Sequence, residues 1–165
     1  MEKIKFAYLN ESAFPPTRKH FTDAGIDLYA CISEEYIEIY PEEVEVIHTG
    51  LTVEISENHF GLITNKSKNN FIVGAGVVDH GYQGELLVKI INNTNDIIYI
   101  HHGDAIAQIL IIPCKILDIE IANLSEIHQN ESERGKDGGI ARQVSALGDE
   151  TAEWYQKEFE NLREY

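Results

Sequence analysis

The sequence predicts an all-β fold, either a sandwich, a jelly roll or a barrel. Two observations carry this expectation. Up to about residue 122, short apolar runs alternate with period two, the pattern of strands that bury one face. Glycines and asparagines stand between these runs, where turns select them, and helical periods are few.

The elements follow in chain order. Met1-Glu2-Lys3-Ile4-Lys5-Phe6-Ala7-Tyr8-Leu9 alternates like a strand and lacks the uninterrupted apolar core of a signal peptide. Asp27 stands at the start of a second strand, within Asp23-Ala24-Gly25-Ile26-Asp27-Leu28-Tyr29-Ala30. Ile37 to Tyr40, Val44 to Ile47 and Leu51 to Ile55 alternate cleanly, and Gly50, Asn58, Gly61 and Asn92-Asn93 mark turns. Gly76-Val77-Val78-Asp79-His80-Gly81-Tyr82-Gln83-Gly84-Glu85-Leu86 reads as a strand, a tight glycine-containing turn and a second strand. Leu86 to Ile91, Ile97 to Ile100 and Ile106 to Ile112 are isoleucine-rich strands, with Ile116 to Ile121 as one more.

Composition changes after residue 124. Ser125 to Gly139 is polar and glycine-rich, the pattern of a mobile arm. Asp149 to Arg163 has helical character, with Asp149 as cap and Tyr155, Phe159 and Leu162 on one face beside Trp154. That stripe suits docking to another copy or to a protein partner. The expected organisation is a β domain over 1–124, an arm over 125–148 and a short C-terminal helix over 149–165.

Length and charge narrow the function. A chain of 165 residues with 43% hydrophobic content suits one folded domain. No run of 18 apolar residues exists, so no membrane span is expected. Cys31 and Cys114 stand far apart without metal-type spacing, which points to a reduced, cytoplasmic protein. The seven histidines include one adjacent pair, His101-His102, without supporting ligands. A formal net charge of −15 repels nucleic-acid phosphates. It does not forbid a small phosphorylated ligand held by a few cations, oriented amides and a divalent metal.

Four islands suit such a ligand. Ala24-Gly25 permits close backbone approach, and Asp27 reads equally as a turn acid or a metal-shell acid. Thr64-Asn65-Lys66-Ser67-Lys68-Asn69-Asn70 offers two lysines and a hydroxyl to phosphate. The Gly76–Leu86 segment has bare backbone that can read a flat ligand edge, with Asp79 placed to activate a water. Gly103-Asp104-Ala105-Ile106-Ala107-Gln108 leads into an apolar strand whose Gln108 amide needs a partner, either structural or phosphate.

The order and spacing of these islands resemble the trimeric dUTPase family. The matching residues are Ala24-Gly25-Ile26-Asp27-Leu28, Lys66-Ser67, Gly76 to Glu85, Gly103 to Gln108, and Arg134-Gly135. The resemblance implies a β jelly roll that forms homotrimers, with each active site assembled between subunits. It implies hydrolysis of dUTP to dUMP and pyrophosphate, with Asp79 orienting or deprotonating the attacking water. Tyr82 would pack against the deoxyribose, and Gly76, Val77, Val78 and Leu87 would read uracil. Ser67 and Gln108 would hold the phosphate chain, with Lys66, Lys68 and Arg134 also binding substrate. Asp27 would stand in the outer shell of a Mg²⁺ bound to the triphosphate. In-line substitution at phosphorus needs a positioned water, a metal and charge-stabilising donors, which agrees with this set.

Departures are also visible. Lys66 stands where the family carries Arg, Lys68 replaces a small residue, and the stretch from Ser67 to Asp79 is short. After Lys136-Asp137-Gly138, the arm continues Gly139-Ile140-Ala141-Arg142-Gln143 and lacks the family's aromatic and hydroxyls. Two other readings remain. A nucleotide-binding regulatory protein would keep the shell and lose turnover. A dCTP deaminase would need a Glu where Lys89 stands.

Overall fold

A computed structural model describes residues 3–127, 129 and 130. It holds eleven strands among those residues: β1 (Lys5–Tyr8), β2 (Gly25–Tyr29), β3 (Tyr36–Ile39), β4 (Val44–His48), β5 (Leu51–Glu54), β6 (His59–Thr64), β7 (Ile72–Gly74), β8 (Gly76–Val78), β9 (Leu87–Ile91), β10 (Ile98–His101) and β11 (Ala105–Pro113). The fold is all-β, and every strand pair is antiparallel. The four sheets have the orders β1-β5, β10-β3, β2-β11-β6-β8 and β4-β9-β7.

Alternation explains the packing. Ile26 and Leu28 of β2, Ile63 of β6, Val88 and Ile90 of β9, and Ile109 of β11 turn inward and are buried, while their sequence neighbours face out. Two polar residues, Thr49 and Asn92, are fully buried. The Asn92 amide donates to the carbonyls of Ile39 and Asp96, both at 2.8 Å, and accepts from the Thr94 amide and hydroxyl. Its hydrogen-bonding capacity is thereby used, as burial requires.

Three expectations are corrected. Gly61 lies inside β6 rather than in a turn. A Cβ there would stand 2.8 Å from Ile109 Cδ1 and 3.1 Å from Ile55 Cδ1, so packing rather than turning selects glycine. Gly76 to Leu86 is not a hairpin: β8 pairs with β6, whereas β9 pairs with β4 and β7. The intervening turn carries the chain from one sheet to another. Ile116 to Ile121 forms no strand. Its alternation supplies an apolar face, but it finds no ladder partner among the described residues, and Ile119 and Ile121 are 96% and 98% exposed.

Contacts divide the chain into Met1–Leu117 and Asp118–Tyr165. Among the described residues of the second unit, a 3-10 turn spans Leu124–Glu126, with the Asn123 amide donating to the Glu126 carboxylate at 2.7 Å. The glycine-rich part of the arm, Arg134 and the 149–165 helix expectation fall outside the described residues. No helix among the described residues is long and apolar enough to cross a membrane. Cys31 is buried, Cys114 is half-buried, and both are free thiols.

Candidate active site

The turn after β8 is strapped along β5. Asp79 opens it, and the Tyr82 amide closes a tight turn onto the Asp79 carbonyl at 3.1 Å, with Gly81 in the left-handed region at φ 84°. His80 Nδ1 sits 2.9 Å from the Ile55 carbonyl, the Thr52 hydroxyl donates to the Gln83 carbonyl, and the Leu86 amide donates to the Leu51 carbonyl at 2.8 Å. The Glu85 carboxylate takes the Gly50 amide at 2.7 Å. Four points of attachment thus replace the missing hairpin ladder. They hold an exposed Asp79 carboxylate that makes no hydrogen bond among the described residues.

Tyr82 folds back so that its hydroxyl donates to the Glu85 carbonyl at 3.0 Å. The ring covers Gly84, where any Cβ would collide with the phenol. Glycine at 84 is therefore what permits this pose. Val77 is exposed on β8, which is the edge strand of its sheet and pairs with β6 alone. An unpaired strand edge presents free N–H and C=O groups to a flat partner. A Cβ at Gly76 would meet only Ile63, at an ordinary 3.8 Å, so side-chain packing within the chain does not demand glycine there.

A second cluster gathers at another part of the same sheet. Asp27, Gln108 and Thr64 face one another across β2, β11 and β6. Lys66 Nζ forms an ion pair with Asp27 Oδ1, and the two side chains are only 20% and 22% exposed. The Gln108 amide donates to the Asn65 carbonyl at 2.7 Å. Asn65 itself spans its loop, donating to the Phe71 carbonyl and accepting from the Val73 amide. Asn69 donates to the Ile106 carbonyl at 2.7 Å. These bonds fix the base of the loop, while Ser67 and Lys68 stand exposed at its tip.

Strand register separates the two clusters. Val78 lies opposite Gly61, whereas Gln108 lies opposite Thr64. Three residues of rise and two strand spacings put the Val78 and Gln108 backbones roughly 14 Å apart. The chain leaves β8 toward Asp79 in the direction away from Gln108. The structure thus brings Asp27, Lys66 and Gln108 together, brings Val77, Val78, Asp79 and Tyr82 together, and keeps the two groups apart. Leu87 opens β9, exposed on a face shared with Lys89, whose alkyl chain lies over Gly74.

Asn65, Asn69, Gly84 and Glu85 are the supporting residues that sequence reasoning missed as such. An asparagine at each end of a polar loop is the signal for the first two. A groove of about 1150 Å³ runs beside the turn, lined by Lys3, Lys5, Arg18, His80 and Tyr82 among others. At its rim, Lys5 donates to Glu54 at 2.7 Å, which holds the exposed Glu54 carboxyl below its ordinary range. Among the described residues, no three His, Cys, Asp or Glu side chains cluster to hold a metal ion.

Comparison with known proteins identifies the family. The dUTPase family model matches residues 11–141. The deoxyuridine 5'-triphosphate nucleotidohydrolase of Mycobacterium leprae (strain Br4923) is 36% identical over 132 residues, covering 75% of this chain and 83% of its own. That of Clostridioides difficile is 34% identical over 144 residues, covering 84% and 96%. Among solved structures, the Staphylococcus bacteriophage 80alpha dUTPase with dUPNHPP superposes with a TM-score of 0.73 at 27% identity, covering 86% of this chain and 98% of that one. The dUTPase from phage phi11 of S. aureus gives 0.65 at 28% identity, covering 78% and 100%. The shared architecture is the dUTPase jelly roll, and with the family's pattern matched over most of its length, this chain belongs to the dUTPase family.

Proposed function

We propose that this protein is a dUTP diphosphatase that hydrolyses dUTP to dUMP and pyrophosphate. The observation that carries the reading is the strapped turn, which holds an unengaged Asp79 carboxylate beside a free strand edge and a folded-back Tyr82. Asp79 orients a water and accepts its proton as the oxygen attacks the α-phosphorus. The bond from that phosphorus to the α,β-bridging oxygen breaks, and pyrophosphate leaves. The outer edge of β8 at Gly76 to Val78, together with Leu87, reads the uracil edge, and Tyr82 packs where a 2′-hydroxyl would clash. Lys66, Ser67, Lys68 and Gln108 hold the phosphates, and Arg134 joins them from the arm. Gln108 spends one N–H on Asn65 and keeps the other for phosphate. Asp27 would stand in the outer shell of a Mg²⁺ bound to the triphosphate, an ion that would supply charge neutralisation.

Both clusters must reach one phosphate chain, and a separation of roughly 14 Å within one chain argues that a second copy completes each site. The resemblance to trimeric dUTPases supports a homotrimer as the assembly in this reading. Exposed apolar surfaces support association: Val44, Val46, Ile72 and Leu87 on the β4-β9-β7 sheet, and Ile116, Ile119 and Ile121 after β11. Lys89 argues against deamination, because an ammonium cannot serve as the required carboxylate base.

The test is pyrophosphate release from dUTP, UTP, dCTP and dTTP with Mg²⁺. dUTP is expected to be cleaved far faster than the other three. Equal rates on UTP and dUTP would show the role given to Tyr82 to be wrong. Binding of dUTP without release would favour the regulatory reading.

A further inference from the structure

We propose that Glu85 is the positioning residue of the substrate-reading turn, setting the pose of Tyr82 and with it the preference for a deoxyribose. The inference deepens the function proposed above and rests on that reading for the part Tyr82 plays.

Both Glu85 carboxylate oxygens are committed. Oε1 accepts the Gly50 amide at 2.7 Å, and Oε2 meets His48 Nδ1 at 2.8 Å. The Glu85 side chain is only 25% exposed, so these contacts are partly shielded from water. The anchor point is itself rigid. Gly50 sits at φ 66°, where a Cβ would stand 2.7 Å from that of Ala13, and its carbonyl accepts the amides of Leu9 and Asn10. The neighbouring Thr49 hydroxyl, fully buried, donates to the Leu86 carbonyl at 2.7 Å. Glu85 therefore joins the turn to a corner that three segments define.

The other end of the same residue controls the ligand side. The Glu85 carbonyl accepts the Tyr82 hydroxyl, and the Tyr82 ring spans the intervening Gly84. A shift of the Glu85 backbone moves the phenol with it. The bonds from Leu86 to Leu51 and from His80 to Ile55 do not involve the Glu85 side chain. The Glu85–Leu86 peptide stays held through its amide, so loss of that side chain is expected to loosen the Gly84–Glu85 stretch over which the Tyr82 ring lies while the rest of the turn stays attached. A residue with a purely structural role would lower stability and leave discrimination between sugars untouched.

The experiment uses the full chain with a fluorinated tyrosine label assigned at Tyr82 by a Tyr82→Phe control. In nucleotide-free protein, Glu85→Ala is expected to shift or broaden the Tyr82 resonance, and Glu85→Gln, which keeps an acceptor for Gly50, to restore much of it. Steady-state rates are then compared. Glu85→Ala is expected to cut the dUTP-over-UTP preference roughly tenfold, chiefly through KM, because small misplacements of an orienting group carry costs of that order or more. An unchanged Tyr82 signal in both folded variants would overturn the proposal whatever the activity. A displaced Tyr82 with unchanged discrimination would instead overturn the role of Tyr82 and leave the positioning by Glu85 standing. Should Glu85→Ala fail to fold, Glu85→Gln carries the same readouts with a smaller expected shift, and its identity to wild type in both would overturn the proposal.

Discussion

Asp79→Asn is expected to abolish pyrophosphate release from dUTP while leaving the fold and nucleotide binding intact. Asp79 is exposed, and its carboxylate makes no hydrogen bond among the described residues, so the fold does not depend on its charge. The contact that shapes the turn uses the Asp79 carbonyl, which Asn retains. The amide can still contact a water but cannot take its proton. Loss of a general base costs about 10²- to 10⁴-fold in rate. The checks are turnover, thermal denaturation and the affinity for a non-hydrolysable dUTP analogue. A variant within a few-fold of wild type in turnover would remove Asp79 from the mechanism.

The second large effect concerns the Lys66–Asp27 pair. Both side chains are about four-fifths shielded, so removing the ammonium leaves a carboxylate with little water to replace it. Lys66→Met is expected to destabilise the protein by about 1–3 kcal/mol, less than for a fully buried pair because part of the carboxylate stays wet. It is also expected to raise KM for dUTP by roughly tenfold, as one phosphate-holding cation is lost. Adding Asp27→Asn to Lys66→Met should return most of the lost stability, because the stranded charge disappears, but should not restore KM. Additive losses of stability in the double variant would show that the pair is not coupled. Denaturant melts and initial rates on the four proteins of the cycle decide this. A point-charge ammonium docks on one carboxylate oxygen, where a guanidinium would form a planar fork.

Sequence alone exposed most strands and little of their pairing. Period two located β3, β4 and β5, and isoleucine-rich runs located β9, β10 and β11, each within a residue or so. It missed β6 as a strand at Gly61, since a glycine chosen for close packing against Ile109 looks like a turn residue. It turned Gly76 to Leu86 into a hairpin, because local pattern does not reveal that β8 and β9 enter different sheets. The isoleucines of 116–121 illustrate the converse: alternation marks an apolar face, but only a neighbour makes a strand. At the site, Asp27 was legible as an acid at a strand start, Lys66 as a cation of a polar loop and Gln108 as a polar interruption of an apolar strand, and the structure joins them. The partners of Asn69 and Glu85 were not legible, because the Ile106 carbonyl and the Gly50 amide lie far off in the sequence. The division of the site into two clusters follows from register, which no residue announces.

That division supplies the most direct test of a dUTP-hydrolysing site shared between copies. Asp79→Asn chains and chains carrying both Lys66→Met and Gln108→Ala, whose own residual rates set the baseline, are mixed under conditions where subunits exchange, with exchange verified by mass. Chance pairing in a symmetric ring restores both intact clusters at about a quarter of the sites, so pyrophosphate release from dUTP should reappear at about that fraction of the wild-type rate. A mixture that exchanges subunits and stays as inactive as its parents would contradict the account.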